Sequence, residues 1–354
     1  MSEIGQRCYG PLDPDEYRKQ IEGFEGIAKL IDGVRSIALC AHTSPDGDAL
    51  GSVLGLMLII RKRWPEARVT PLLADNAPVP RIYRFLPHAD EFVMPDDYTE
   101  DPDLFIVVDL SEIGRLNAAV DVCKRAHETA VIDHHPSKNP IGTARVVRTS
   151  AAAAGVLVAE FAQYLGVEID AEIAQNLMCA VVTDTGRFQY QNSDGESFDV
   201  ASLLVRCGAS PSDISLNVYQ SFRLPFLHLK SLVMGRIKTF EDGRIAYSYA
   251  TQNDLERTGA DLDESDGLID VVRSVEGSEI ALFLKKIPNG QVRGNLRSKG
   301  EHDVSVVANL MGGGGHKAAA GFTFDGDIDE ALATVLPLLR VLLNADEEAL
   351  EGEG

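Results

Sequence analysis

The chain has 354 residues, enough for two hydrophobic cores and more than a single core usually organises. Its 33 lysines and arginines face 54 acidic residues, and the net charge of −21 excludes a bulk duplex-binding protein, which needs a basic surface to displace counterions. The best apolar run, Val53–Ile60, falls far short of the ~20 residues that cross a bilayer, which excludes a helical membrane span.

Met1–Gly10 is polar and lacks the apolar centre of a secretion signal. Cys8, Cys40, Cys123, Cys179 and Cys207 show no paired spacing, and the expectation is a cytoplasmic protein with reduced thiols. Residues 1–20 are polar and proline-interrupted, and are expected to form a loose arm. An amphipathic helix is predicted over Ile21–Ile31, with Ile21, Phe24, Ile27, Ala28 and Ile31 on one face. Ser36–Ala41 is predicted as a buried strand that runs into His42-Thr-Ser-Pro-Asp46-Gly-Asp48, with Asp48 placed to cap a helix over Ala49–Lys62. Ala67–Leu73 and Leu104–Val108 read as further strands. The second is apolar throughout, as a strand buried on both faces should be, and ends at Asp109.

Ala130-Val-Ile132 reads as another strand, because Val and Ile favour it over buried helix, and it ends in Asp133-His134-His135. Thr149 or Ser150 is expected to cap a helix over Ala151–Leu165, and Asp170 one over Ala171–Val182. That helix runs on to Asp184, with Gly186 as its left-handed stop. Strands alternating with helices predict an α/β domain with a parallel sheet covered on both faces.

The character changes after about Arg206. Pro211–Gly235 reads as helical connector, followed by a strand over Arg244–Ala250 and helices within Asp254–Gly259 and Gly267–Val275. Glu279–Ile287 and Gln291–Ser298 flank Asn289-Gly290, a strong hairpin signal. A helix over Val304–Met311 opens into four glycines and His316. Ala318–Phe324 reads as a strand, Asp329–Asn344 as a last helix, and the acidic Asp346–Gly354 is expected to be disordered. These readings divide the chain into residues 20–207, a helical linker over 208–238, and a smaller mixed α/β domain over 239–345.

His42, Asp46, Asp48, Asp109, Asp133, His134, His135 and Asp184 all fall at strand or helix ends, where the crevice beyond an open parallel sheet binds ligands. Singly, each has a bland explanation: a turn, a cap, a satisfied core histidine. Together they put five carboxylates and three imidazoles on one edge, where the carboxylates would repel and resist ionisation unless a countercharge sits among them. Two divalent cations supply it. Mixed carboxylate and imidazole ligands suit Mn²⁺, and Zn²⁺ or Fe²⁺ less selectively, while the lack of cysteine disfavours structural zinc.

His42-x3-Asp46-x-Asp48, Asp109, Asp133-His134-His135 and Asp184 resemble the four motifs of the DHH phosphoesterase superfamily. Gly312-Gly-Gly-Gly-His316 resembles the glycine-rich motif of the associated DHHA1 domain. The order of motifs and the length are similar to the nano-RNase group, whose members include bifunctional oligoribonucleases that also act as 3′-phosphoadenosine 5′-phosphate phosphatases. The Ser-Arg-Lys-Lys-type motif of family II pyrophosphatases is not found, and no room remains for the extra modules of RecJ-like nucleases.

The resemblance implies an active site in the interdomain cleft, with one cation held by His42, Asp46 and Asp109 and a second by Asp48, Asp109, His134 and Asp184. Asp109 would bridge the two, Asp133 would orient an imidazole, and His135 would contact the phosphate or assist the leaving group. Metals so placed activate water near neutral pH and hold both oxygens of an in-line displacement. In the C-terminal domain, Gly313, Gly314, Gly315 and His316 would approach the substrate closely. Arg293, Arg297 and Ser298 would complete a clamp for a terminal phosphate or base. The expected activity is a two-metal, Mn²⁺-dependent phosphodiesterase and exoribonuclease. It would cut linear dinucleotides and very short RNA to 5′-mononucleotides, and convert 3′-phosphoadenosine 5′-phosphate to AMP. A cyclic dinucleotide phosphodiesterase and a catalytically inactive nucleotide sensor are the alternatives. Neither duplex DNA nor a membrane is expected as a partner, and a homodimer is compatible with the sequence.

Overall fold

In the computed structural model, which describes residues 13–137, 140–300 and 302–352, the chain divides into two units between Ser221 and Phe222. The first contains α1 (Pro14–Ile31), β1 (Ser36–Cys40), α2 (Gly47–Arg63), β2 (Arg68–Leu72), β3 (Leu104–Val108) and α3 (Val120–Arg125). It continues with β4 (Glu128–Asp133), β5 (Ala144–Val147), α4 (Ala154–Leu165), α5 (Ala171–Asp184), α6 (Gly195–Arg206) and α7 (Pro211–Ile214). All five strands run parallel in the order β2-β1-β3-β4-β5. The winding reverses between β1 and β3, and such a switch point opens a crevice beyond the strand carboxyl ends.

The apolar strands are explained by two covered faces. Ile37, Leu39, Ile106, Val108, Ala130 and Ile132 pack with α1, α2, α4 and α5, while Ala38, Cys40, Phe105, Val107 and Val131 pack with Leu116, Ala119, Val122 and Cys123 around α3. α2 and α5 cross closely because Gly51 and Gly55 have no side chain. A Cβ on Gly51 would stand 2.3 Å from the Asn176 carbonyl oxygen, and one on Gly55 2.5 Å from Leu177 Cδ2.

Several boundaries differ from the sequence expectation. α1 begins at Pro14 instead of Ile21, because Asp13 accepts the amides of Asp15 and Glu16 and proline suits the first helical position. Residues 1–12 of the expected arm, with Cys8, lie outside the described residues. Asp46, not Asp48, caps α2, and it takes the amides of Asp48 and Ala49. Neither Thr149 nor Ser150 caps α4, whose N-cap is Ala153. Asp170 does cap α5, and Gly186 takes the left-handed conformation just past its end.

The second unit contains α8 (Leu224–Gly235), β6 (Lys238–Phe240), β7 (Ile245–Ala250), α9 (Gln252–Thr258), α10 (Leu268–Arg273) and β8 (Ile280–Lys286). β9 (Val292–Ser298), α11 (Val304–Leu310), β10 (Gly314–His316), β11 (Ala319–Phe324) and α12 (Ile328–Gly352) follow. Its mixed sheet runs β10-β11-β9-β8-β7-β6, with β7 and β8 parallel and the other neighbours antiparallel. Leu282, Leu284 and Leu296 face α11 and α12, and Ala281 and Phe283 face α8 and α10. The Asn289-Gly290 hairpin joins β8 to β9 as expected, with Gly290 at a φ of +86°.

Along the stretch expected as helical connector, Ile214 and Val218 are buried in the first unit, Phe226, Leu229 and Val233 in the second. The backbone of α12 runs into the acidic end expected to be disordered, to Gly352, and Glu353 and Gly354 lie outside the described residues. No described helix is long and apolar enough to cross a membrane.

The helix crossing yields a stability test. Gly51→Ala drives a methyl into backbone at Asn176, and we expect a loss of about 1–3 kcal/mol on denaturant unfolding. Gly235→Ala, whose new methyl meets nothing within 4 Å, should leave the midpoint unchanged or raise it. Equal midpoints for the two variants would show that the crossing tolerates a wider spacing.

Candidate metal centre

Each side chain of the centre arrives from an element end. β1 runs out to His42, β3 to Asp109 and β4 to Asp133, His134 and His135. Asp46 and Asp48 stand at the start of α2, and Asp184 closes α5. Asp109 sits at a φ of +59° while its amide still donates to the Ile132 carbonyl at 2.9 Å. A left-handed, non-glycine residue at a strand end is strained, and aspartate bears that conformation better than most.

The imidazoles are oriented by carbonyls. His42 Nδ1 lies 2.8 Å from its acceptor, the Thr43 oxygen, and His134 Nδ1 lies 3.1 Å from the Ala151 oxygen. A carbonyl only accepts, so both Nδ1 atoms carry hydrogen and each Nε2 is turned inward. His42 Nε2 faces Asp109 Oδ2 at 3.2 Å, and His134 Nε2 faces Asp109 Oδ1 at 3.3 Å. His134 Nε2 also stands 3.7 Å from Asp48 Oδ2 and 3.8 Å from Asp184 Oδ2. Each Nε2 thus faces a carboxylate oxygen, as an N–H donor while the ring is protonated and as a free lone pair once it is neutral, and Asp109 Oδ1 and His134 Nε2 are buried with no further hydrogen-bond partner among the described residues.

Asp133 holds His135 instead of His134. Its Oδ1 accepts the amides of His134 and His135 at 2.8 and 3.1 Å and His135 Nδ1 at 2.8 Å, and its Oδ2 accepts from Ser111. The two rings meet edge to face with centroids 4.4 Å apart.

Charge crowding is written into the titration of these groups. Burial pushes the Asp48 carboxyl up, as does the neighbouring Asp109, to about 7. Burial and Asp48 together raise Asp184 well above the usual carboxylate range. Burial disfavours the charged form of His42, but Asp109 and Asp46 outweigh it and raise the imidazole to about 9. His134 is likewise raised by Asp109 against burial, and burial of Asp109 is overridden by His134 and His42, which keep it ionised. The cluster must take up protons or accommodate a cation. The donors fit the second choice. His42, Asp46 and Asp109 form one set, Asp48, His134 and Asp184 another, and Asp109, His134 and His135 a third, with ligand atoms in each within 4.8 Å of one another.

Asp48 has a further task that the sequence did not reveal. Its oxygens accept the amides of Ala154 at 2.7 Å and Gly155 at 2.9 Å and the Ser52 hydroxyl at 2.8 Å, so it caps α4 from another helix. Asp75, just past β2, was also missed. It accepts from Thr43 Oγ1 and the Ser44 amide, both at 2.7 Å, and from Asn117 Nδ2 at 2.6 Å. These bonds pin the loop before Asp46 and keep the Asp75 carboxyl below its ordinary value despite burial. Its place after a strand end was the available signal.

In the second unit, β9 alternates. Arg293, Asn295 and Arg297 lie on one face, and Val292, Gly294, Leu296 and Ser298 on the buried other. Arg293 and Arg297 thus share a face, four residues apart along the strand, but Ser298 does not. It is buried against Gly300, whose carbonyl lies 3.2 Å from its hydroxyl. The glycine run is no open loop, because Gly314–His316 pairs antiparallel with Ala319–Gly321. Gly313 and Gly315 are required there, since a Cβ on either would strike the β11 backbone at 2.1 or 2.5 Å. A Cβ on Gly314 would meet only Asn309 Oδ1, at 3.6 Å, an ordinary contact.

Residues 36–181 match the DHH family, N-terminal domain, and residues 242–340 match the DHHA1 domain. The bifunctional oligoribonuclease and PAP phosphatase NrnA of Thermus thermophilus is 32% identical over 318 residues, 89% of this chain and 91% of the relative. The protein of that name in Bacillus subtilis is 28% identical over 322 residues, 89% of this chain and 98% of the relative. Among solved structures, an exopolyphosphatase-related protein of Bacteroides fragilis shares the fold with a TM-score of 0.84 at 22% identity, covering 93% of this chain and 97% of that one.

Protons and cations compete for this centre, which sets a sign. Ligands bind metal deprotonated, while His42 is held at about 9 and Asp48 at about 7, so cation affinity should rise as pH is raised through that window. Calorimetric Mn²⁺ titrations at pH 6, 7, 8 and 9 should show affinity strengthening by about tenfold per unit with proton release. A pH-independent affinity would show that the cation binds elsewhere.

Proposed function

The chain belongs to the DHH family and carries the DHHA1 domain, and from that premise we propose that it is a Mn²⁺-dependent phosphodiesterase acting on linear dinucleotides and very short RNA. On this reading it releases 5′-mononucleotides and also converts 3′-phosphoadenosine 5′-phosphate to AMP. The carrying observation is Asp109, whose two oxygens face His42 and His134 separately, the arrangement a bridging carboxylate needs. Manganese is preferred because the donors are carboxylate and imidazole without thiolate.

His42, Asp46 and Asp109 would hold one cation, and Asp48, Asp109, His134 and Asp184 the other. The pair would supply an activated water and stabilise charge on the attacking and leaving oxygens at phosphorus. The chain's own residues do the rest. Thr43 and Ala151 carbonyls keep the two imidazoles aimed with Nε2 inward. Asp133 fixes the His135 ring through Nδ1, and the imidazole, when protonated, would donate its Nε2 hydrogen to a phosphate oxygen or to the departing nucleoside oxygen. Arg293 and Arg297, on one face of β9, offer guanidinium groups for the distal phosphate or base, with Gly313, Gly314, Gly315 and His316 beside them on the β10–β11 hairpin. The anionic surface elsewhere suits a short substrate bound at a focused basic face better than a polymer.

A panel of pApA, cyclic di-AMP and 3′-phosphoadenosine 5′-phosphate tests the assignment. In Mn²⁺ we expect kcat/KM for pApA to exceed that for cyclic di-AMP by at least about tenfold, a difference of 1.4 kcal/mol in transition-state stabilisation. The reverse order would make this a cyclic dinucleotide phosphodiesterase, and binding without turnover would make it a sensor.

The adjacent histidines should separate. His134→Ala should lose cation affinity and recover partly at high Mn²⁺. His135→Ala should keep its cations and lose about 10²–10⁴-fold in kcat. Equal metal loss in both variants would place His135 among the ligands.

A further inference from the structure

The segment 148–155 touches two members of one ligand set directly and the third through a side chain. The Arg148 amide donates to the Asp133 carbonyl at 3.0 Å, and the Ala151 amide donates back to the Arg148 carbonyl at 3.1 Å, which forms a tight turn directly beside β4. The Ala151 oxygen accepts from His134, and the amides of Ala154 and Gly155 grip Asp48. The third ligand, Asp184, is reached through Asn192. Asn192 Nδ2 lies 3.0 Å from the Ala152 oxygen, 3.1 Å from the Asp184 oxygen and 3.4 Å from Asp184 Oδ2.

Chemistry explains why an amide stands there. Asp184 is the last residue of α5, so its carboxylate sits at the negative end of the helix dipole. A donor that bonds both the carbonyl and the carboxylate offsets that repulsion, and bonding Ala152 as well ties the helix end to the turn. The assembly is anchored below. Arg148, with a side chain only 1% exposed, places Nη2 2.8 Å from Glu196 and 3.2 Å from Glu160, and Gln20 donates to Glu160 at 2.8 Å. Glu196 lies in the first turn of α6, just beyond Asn192, so one buried ion pair restrains both the turn and the segment that carries the amide.

We propose that Asn192 is a positioning residue for one cation, fastening Asp184 to the 148–155 turn so that Asp48, His134 and Asp184 converge. The inference rests on the two-cation reading above. Asn192 is exposed, so its replacement should not cost the fold.

The test is calorimetric titration of Mn²⁺ into the metal-stripped, full-length protein, with thermal unfolding of the same samples. His42→Gln and Asp184→Asn identify which of the two binding steps belongs to which ligand set. Asn192→Ala should weaken the step lost in Asp184→Asn by about 10–100-fold, the usual effect of removing a partner behind a ligand. The step lost in His42→Gln should hold, and the metal-free Tm should stay within about 2 °C. Asn192→Asp, which turns an acceptor toward three acceptors, should weaken the same step further. Unchanged binding in Asn192→Ala, equal weakening of both steps, or a fall in metal-free Tm that accompanies the weakening would each overturn the assignment. A wild type that takes up no Mn²⁺ would instead overturn the two-cation reading beneath it, and this inference with it.

Discussion

Carboxylates crowded around two imidazoles are the constraint from which the rest of the first unit follows. Two backbone carbonyls fix His42 and His134 with Nε2 turned toward Asp109, and Asp48 and Asp184 close in from the sides. That geometry needs protons or cations among the carboxylates. It is held because the sheet, wound outward in both directions from β1 and β3, brings three strand ends to one crevice, while apolar layers on both faces leave the strands no freedom to shift. The left-handed backbone at Asp109 is the local cost of turning a carboxylate into the middle of the cluster.

The second unit is constrained differently. Its glycines are fixed by sheet pairing: Gly313 and Gly315 let β10 lie flat on β11, and Gly294 makes room for the Phe322 ring, to which a Cβ would come within 2.2 Å. The β9 face that carries Arg293, Asn295 and Arg297 is therefore supported by a strand whose other face is wholly committed to the core. Rigid backing for long cationic side chains lowers the entropy lost when they engage a ligand.

What the sequence made legible was what sequence position alone determines. Alternation of apolar runs with helical periodicity located the parallel sheet, and residues at strand ends located the centre, because a strand end is visible wherever an apolar run stops at a polar residue. Contacts between distant segments were not legible. Asp48 reads as an ordinary first-turn cap until α4 is seen to arrive beside it, and nothing in Ala151–Gly155 announces a turn that grips side chains from three elements. Asp133 reads as a group that orients a metal-bound imidazole, but it accepts from the histidine two residues on, a local bond that competes with any longer reach. Ser298 is adjacent to Arg297 in sequence, but strand alternation turns it to the other face.

Asp48 bears on how an inert form of this protein should be made. Its carboxylate is at once the cap of α4 and a member of a ligand set, so replacing it removes chemistry and unties a helix of the core in one stroke. A screen for dead variants would recover Asp48 alongside folding mutants, and its loss would say little about the reaction. Asp46 is solvent-exposed and caps only its own helix, and Asp184 reaches the centre from a helix terminus. Those two positions, and not the more deeply buried one, are where a substrate could be trapped on an intact scaffold.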